Sequence, residues 1–175
     1  MKVFLDTCVV NRLVDFGEYY FDGYLGDEPE AEYVRRPIED RQDIDALHAI
    51  VQVFQRASMP LYVTPTTLDE VKQANRSFLD SYAWELFHHW WDWGDPEVRR
   101  RLMDSNFEER VQKQYDLLKC FRGTKDRRLI AEAIVLGCDV FLTVDRRSIC
   151  KKRARADTLP LRILRPVELW DELMG

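Results

Sequence analysis

Apolar and polar positions follow two patterns along this chain, one typical of buried strands and the other of amphipathic helices. Short apolar runs predict four strands, at "KVFLD" (2–6), "LYVT" (61–64), "DVFLTVD" (139–145) and "LRILRP" (161–166). Apolar residues at helical spacing predict helices between and after these runs. The helical stretches are "TCVVNRLVDF" (7–16), "DIDALHAIVQVFQRA" (43–57), "TTLDEVKQANRSFL" (66–79), "SYAWELFHHWW" (81–91), residues 96–118, "DRRLIAEAIVLG" (126–137) and "VELWDELM" (167–174).

Strands that alternate with helices predict an α/β fold, in which helices cover both faces of a central, mostly parallel sheet as an α/β/α sandwich. The length of 175 residues, of which 46% are apolar, fits a single domain over residues 1–175. Two stretches depart from the alternation. Residues 15–45 are predicted to be an acidic insertion, irregular between Gly17 and Pro37. Residues 80–123 are predicted to be a helical, tryptophan-rich segment within the domain.

The charge of the chain is slightly negative overall but unevenly distributed. Its 26 basic and 31 acidic residues give −5, so bulk positive charge does not drive nucleic-acid binding. Residues 15–45 hold eleven acids against three bases, whereas residues 146–155 hold six bases and no acid.

Compartment and redox state follow from other features of the sequence. No apolar run is long enough to span a membrane and no leader pattern opens the chain, which predicts a cytoplasmic protein. The cysteines stand far apart without a CxxC pair, which favours buried, reduced thiols over disulfides or a zinc site. They are Cys8, Cys120, Cys138 and Cys150.

Acidic residues occupy the places where a parallel sheet binds ligands. Asp6 ends the first apolar run and Asp145 ends the third. Glu70 lies in the first turn of the helix after "LYVTP", and Asp126 begins the helix "DRRLIAEA". Ligands in such sheets lie at the carboxyl ends of the strands, where the following helices also begin. We therefore expect these four carboxylates, called the acidic edge below, to meet on one rim.

Four neighbouring carboxylates repel one another, and a divalent cation relieves that repulsion. Carboxylate oxygens suit Mg²⁺ or Mn²⁺, and Mg²⁺ commonly takes its remaining ligands from water and phosphate. Such ions activate a water and stabilise the leaving oxygen of a phosphodiester. The acidic edge therefore predicts a metal-dependent nuclease centre.

Each acid alone also suits a structural role: a capping box for Glu70, a helix first turn for Asp126, and turns for the two strand-end aspartates. The joint pattern is what favours a site. Two neighbouring acids are expected to lie away from it. Asp69 is one helical step from the glutamate, and Asp139 begins its strand at the opposite edge.

Four segments resemble the successive motifs of PIN-domain proteins and are similar to VapC-type toxin ribonucleases: "FLDTCVVNRL", "TPTTLDEV", "DRRLIAEAIVLGCDVFLTVDRRS" and "LRILRPVELW". The family's motif positions fall on Asp6 with Thr7, Glu70, Asp126, and Asp145 with Thr143. The resemblance covers about residues 1–14, 45–80 and 120–173. Cys8 stands where many members place Asn, and Ile149 stands where many place Phe.

The resemblance implies a PIN-like fold, dependence on Mg²⁺ or Mn²⁺, and endoribonuclease activity. The four acids would then be the metal ligands and catalytic residues. Thr7 and Thr143 would contact these acids without binding the metal themselves. It also implies a homodimer and, in toxin members, inhibition by an antitoxin protein. Two alternatives stay open: a catalytically silent PIN-fold module that binds RNA or a protein, and a nuclease of the same design that cleaves DNA.

Other chemistries lack their required residues. A haloacid-dehalogenase phosphatase needs a second aspartate where Cys8 stands, and a cysteine phosphatase needs arginine where Val14 stands. No glycine arrangement matches a phosphate-binding loop or a dinucleotide fingerprint. The histidines His48, His88 and His89 have no metal-ligand spacing.

Two further features are candidates for substrate or partner binding. Arg146 and Arg147 directly follow the last acid of the acidic edge, where they can hold RNA phosphates. An aromatic cluster in the middle of the chain suits helix packing first, an interface second and base stacking last. Its members are Trp84, Phe87, Trp90, Trp91 and Trp93.

Overall fold

The computed structural model of the chain describes residues 1–54, 59–74, 96–155 and 158–175. Within these residues one sheet has the strand order β2-β1-β3-β4. The strands are β1 (Val3–Leu5), β2 (Leu61–Tyr62), β3 (Val140–Leu142) and β4 (Arg162–Leu164). Every neighbouring pair is parallel, and Leu5 lies opposite Leu142 in the central pair. The residues that follow β1 and β3 therefore emerge side by side.

Alternating side chains of the sheet bury two separate cores, one on each face. Val3 and Leu5 belong to one core, whereas Phe4 belongs to the other, where its ring stacks on Phe141 at 5.6 Å. All residues of β1 and β3 are fully buried. Burial on both faces explains why these strands consist of continuous apolar residues.

Helices follow the strands and cover both faces of the sheet. They are α1 (Thr7–Asp15), α2 (Gly17–Asp22), α3 (Asp27–Arg35), α4 (Ile38–Val53), α5 (Pro65–Ala74), α6 (Pro96–Leu102), α7 (Phe107–Leu117), α8 (Thr124–Leu136) and α9 (Pro166–Met174), with a 3₁₀ helix at Cys150–Arg155. The first core lies under α1, α4, α5 and α9, and the second lies under α7 and α8. The predicted α/β fold is confirmed, with an all-parallel sheet.

The prediction of an irregular stretch between Gly17 and Pro37 is wrong. The stretch contains α2 and α3, and Tyr20 of α2 is completely buried in the first core. Its glycines end or begin helices instead of forming a loop. Gly23 closes α2 with a φ of 71°, a conformation that glycine adopts without strain, and Gly26 precedes α3.

Other expectations meet the structure only in part. The aromatic cluster of residues 84–93 lies outside the described residues, while two of the predicted helical stretches within 96–118 are α6 (Pro96–Leu102) and α7 (Phe107–Leu117), separated by non-helical residues 103–106. None of the helices in the described ranges has the length and apolar character needed to cross a membrane. The four cysteines are free thiols; Cys138 is buried, whereas Cys8, Cys120 and Cys150, also predicted to be buried, are half-buried. His48 stacks against Tyr19 at 4.6 Å.

Candidate active site

The parallel pairing of β1 and β3 places two acids of the acidic edge on adjacent strands. Asp6 directly follows β1 and begins α1, and its backbone N–H donates to the carbonyl oxygen of Leu142 at 3.0 Å. Asp145 follows β3 by three residues. Its backbone N–H donates to the hydroxyl of Thr143 at 3.0 Å. The hydroxyl of Thr143 therefore contacts both acids, because it accepts this N–H of Asp145 and donates to the carboxylate of Asp6.

Asp6 is the most buried acid of the edge, with 5% of its surface exposed. Thr143 donates its hydroxyl to Oδ2 of Asp6 at 2.6 Å, and the thiol of Cys8 donates to the same oxygen at 2.8 Å. The pKa of Asp6 is raised to about 6, mainly by burial and also by the negative charge of Asp126, against the two hydrogen bonds, which lower it. Cys8 thus supplies a donor where the PIN resemblance has asparagine.

The Cys8 thiol is held in its neutral form. Burial raises its pKa well above the ordinary range, and the charge of Asp6 raises it further. The sulfur also lies 3.3 Å from the hydroxyl oxygen of Thr143 and accepts the backbone N–H of Val144 at 3.4 Å. A thiol that keeps its proton remains a hydrogen-bond donor to the carboxylate.

A serine connects the two acids at the other end of the edge. Ser148 donates its hydroxyl to Asp145, and its Oγ lies 3.4 Å from Oδ2 of Asp126. The second oxygen of Asp145 accepts the backbone N–H groups of Arg147 and Ser148 at 2.9 and 2.8 Å. Burial and the charge of Asp145 raise the pKa of Asp126. The turn after β3 therefore fixes Asp145 and directs it toward Asp126.

Glycine leaves room for the carboxylate of Asp126. Gly123 precedes α8, and a Cβ atom at that position would collide with the carboxylate oxygens of Asp126. Asp126 lies in the first turn of α8, where a negative charge is favoured by the helix dipole. Any side chain at position 123 would therefore displace Asp126 from its present orientation.

Glu70 joins the edge through α1. Thr7, the first residue of α1, donates its hydroxyl to Oε2 of Glu70 at 2.9 Å. Glu70 lies in α5, which packs on α1. Glu70 thus contacts the residue next to Asp6, so hydrogen bonds and one peptide link connect all four acids of the edge.

Sequence reasoning missed two residues of this region. Ser148 stands three residues after Asp145. Within a turn, an aspartate commonly accepts hydrogen bonds from residues at this spacing, and the spacing was the signal for Ser148. Glu132 is 1% exposed, and a lone acid inside the apolar run "LIAEAIVL" was its signal.

Glu132 ties α8 to the beginning of α5. It accepts hydroxyls of Thr64 at 2.6 Å and of Thr66 at 2.7 Å, and it pairs with Arg128 at 2.6 Å. Arg128 in turn makes two hydrogen bonds with Glu108 of α7. This network connects the beginning of α5, the helix that carries Glu70, to α8, the helix that carries Asp126.

The two acids expected to lie off the site have other surroundings. Asp69 is exposed on α5. Asp139 accepts the backbone N–H of Lys2 at 2.6 Å, at the end of the sheet where β1 and β3 begin. Within the described residues, neither Asp69 nor Asp139 has a hydrogen bond or an ion pair with the acidic edge.

The two arginines after Asp145 differ in their contacts. Arg146 lies 3.0 Å from Asp40 and 3.0 Å from Asp43, both in α4. The side chain of Arg147 is exposed. Their role in RNA binding stays a prediction.

The donor set fits a hard divalent cation, because it consists of carboxylate oxygens supported by hydroxyl groups. Two of the acids, Asp6 and Asp126, carry raised pKa values to which the charges of neighbouring acids contribute. In the part of the chain that the structure describes, no group of three or more His, Cys, Asp or Glu side chains is placed so that it could hold a metal ion. Contacts through Thr143 and Ser148 link three of the acids, but the carboxylates do not form a metal cage.

Comparison with known proteins adds no family assignment. No protein-family profile, no curated protein and no solved structure matches this chain. What is established is a parallel α/β fold whose central strands lead into a hydrogen-bonded set of four carboxylates.

Proposed function

We propose that this protein is a metal-dependent endoribonuclease of the PIN type. The observation that carries the proposal is the chain of hydroxyl contacts along the acidic edge. Thr143 links Asp6 to the backbone of Asp145, and Ser148 links Asp145 to Asp126. These contacts link three acids from distant parts of the sequence near the carboxyl ends of β1 and β3, where parallel sheets bind ligands, and Thr7 links Glu70 to the residue next to Asp6.

The acids Asp6, Asp126 and Asp145, with Glu70 beside them, would hold Mg²⁺ or Mn²⁺. When bound, such an ion supplies an activated water and charge stabilisation for phosphodiester hydrolysis. Thr143 and Cys8 orient the Asp6 carboxylate by donating to one of its oxygens. Supporting donors of this kind are important for metal affinity.

The resemblance of the sequence motifs to PIN proteins supports the same proposal. The motif aspartates and glutamate all fall on the acidic edge, and the two motif threonines, Thr7 and Thr143, both donate to an acid of the edge. Formation of a homodimer and inhibition by an antitoxin protein belong to the proposal as expectations, to be tested by the mass of the particle in solution and by co-expression with the neighbouring gene.

The direct test is cleavage of a mixed-sequence RNA with Mg²⁺ or Mn²⁺, with EDTA as the control and a DNA of the same sequence as a second substrate. We expect Glu70→Gln to lose cleavage and the adjacent exposed variant Asp69→Asn to keep it. Likewise, Asp126→Asn should lose cleavage and Asp139→Asn, at the opposite edge, should keep it.

Each outcome selects a function. Cleavage of DNA in preference to RNA would assign a DNA nuclease. RNA or protein binding without any metal-dependent cleavage would assign the silent binding module. Equal damage from Asp69→Asn and Glu70→Gln would contradict the assignment of Glu70.

A further inference from the structure

The guanidinium of Arg146 is engaged within the fold, although its position after Asp145 suits a substrate contact. Asp43, only 3% exposed, binds it at 3.0 Å together with Asp40, and Glu39 lies 3.9 Å away. Asp43 also binds Arg165 of the segment before α9. Arg146 therefore fastens α4 to the turn after β3, and its charge is neutralised by acids of α4.

Other basic residues around the acidic edge have no such partner. Lys125, Arg147 and Lys151 are exposed, and Lys152 is half-buried. Within the described ranges, none of these four has a carboxylate within 4.0 Å. In contrast, two nearby arginines are used by the fold, since Arg128 of α8 pairs with two glutamates and Arg153 of the 3₁₀ helix pairs with Glu168.

The four unpaired bases, called the basic flank below, lie beside Asp126 and Asp145. Lys125 directly precedes Asp126 in the first turn of α8. Arg147 belongs to the turn that binds Asp145, and Cys150, at the start of the 3₁₀ helix with Lys151 and Lys152, donates its N–H to the carbonyl of Asp145.

We infer that the substrate backbone crosses the acidic edge over the basic flank of Lys125, Arg147, Lys151 and Lys152, and that Arg146 is a structural residue outside the phosphate path. This inference rests on the proposed ribonuclease function and adds the side from which the strand is held. α4 covers the other core of the sheet from α8, and its acids Glu39, Asp40 and Asp43 surround Arg146. The unpaired positive charge therefore lies on the side of α8 and the 3₁₀ helix.

The expected contribution of each contact follows from counterion release. For a single-stranded nucleic acid, each phosphate contact contributes a slope of about −0.7 in log K against log salt. The loss of one contact should therefore weaken binding about fivefold at about 0.1 M salt and lower the slope by about 0.7.

The test is binding of a fluorescein-labelled, single-stranded RNA of mixed sequence, followed by anisotropy over a series of salt concentrations. EDTA is present so that nothing is cleaved. Lys125→Gln and Lys152→Gln should each show the loss of one contact, and the double variant should show about twice the change in slope. Lys2→Gln, at the end of the sheet where β1 begins, and Arg146→Gln should bind RNA like the original chain.

Arg146→Gln removes a partner from buried Asp43, so its folded state is first checked by circular dichroism. If it does not fold, the comparison of the flank variants with Lys2→Gln decides alone. Unchanged affinity and slope in the double flank variant would overturn the inference, as would a loss in folded Arg146→Gln equal to that in Lys152→Gln.

Cleavage with Mn²⁺ separates this inference from the proposed function. A chain that cleaves RNA but whose flank variants bind normally would retain the function and lose the basic flank. A chain that binds RNA through the flank but never cleaves it would retain the flank and lose the nuclease.

Discussion

Replacing Asp6 with asparagine should make the protein more stable while abolishing cleavage. Burial raises the pKa of Asp6 from 3.8 to about 6. Since one pKa unit corresponds to about 1.4 kcal/mol, ionised Asp6 costs the folded state about 3 kcal/mol at pH 7.5. Asparagine keeps the shape and an acceptor oxygen for Thr143 and Cys8, but it carries no charge.

The gain should depend on pH in a defined direction. A folded-state pKa above the unfolded value means that the folded protein binds more protons between pH 3.8 and about 6. The contribution of Asp6 to the free energy of unfolding is therefore fully present below pH 3.8, and it is lost as the pH rises through about 6. We expect Asp6→Asn to gain about 2–3 kcal/mol at pH 7.5 and almost nothing at pH 4.

The assay is urea unfolding followed by circular dichroism at several pH values, in EDTA, with Asp69→Asn as the matched exposed control. The control should stay within about 0.5 kcal/mol of the original chain. In the same preparations, RNA cleavage by Asp6→Asn should fall more than about 100-fold, because loss of supporting residues alone costs 10–100-fold at metal sites.

Two results would refute this reasoning about Asp6. If Asp6→Asn were less stable than the original chain at pH 7.5, the buried carboxylate would not be a cost. If the variant gained stability and still cleaved RNA at the original rate, Asp6 would be buried for structural reasons and would have no part in the site.

Three further changes test other parts of the molecule. Ser148→Ala should raise the Mn²⁺ concentration needed for half-maximal cleavage by about tenfold. If that concentration does not change, Ser148 does not contribute to metal binding. Glu132→Ala should lower the free energy of unfolding by about 1–3 kcal/mol, because the hydroxyls of Thr64 and Thr66 lose their acceptor while Arg128 keeps Glu108 as its partner; a loss below about 0.5 kcal/mol in urea unfolding would contradict this. Changing Asp27, Glu28 and Glu30 of α3 to their amides should speed cleavage of unstructured RNA, more at low salt than at high salt. If the variant and the original chain cleave at equal rates at both salt concentrations, these acids do not restrict the access of RNA.

The sequence carries strong signals for the sheet and for the acids that follow it. Residues 3–5 and 140–142 form short apolar runs with a charge soon after, and that pattern predicts buried parallel strands whose ends meet. Asp6 and Asp145 could be predicted because topology alone places strand ends together.

What the sequence did not reveal depends on side-chain geometry. The partner of Arg146 is Asp43, 103 residues away, and nothing in the local sequence indicates that pairing. α2 was missed because its glycines and tyrosines suggested a loop, although Tyr20 turns inward and is covered by the core. Local composition cannot show which tyrosine is buried, since burial is decided by distant packing.

The position of β1 between β2 and β3 has a consequence for synthesis of the chain. Val3 pairs with Leu61 on one side and with Val140 on the other. At about 5–20 residues per second, β1 waits on the order of ten seconds on the ribosome before β3 emerges to cover its second edge. Throughout that time its apolar residues are exposed to chaperones, and Asp6 has neither Thr143 nor Asp145 beside it. A nascent chain therefore has no assembled site until β3 and the turn after it have been made.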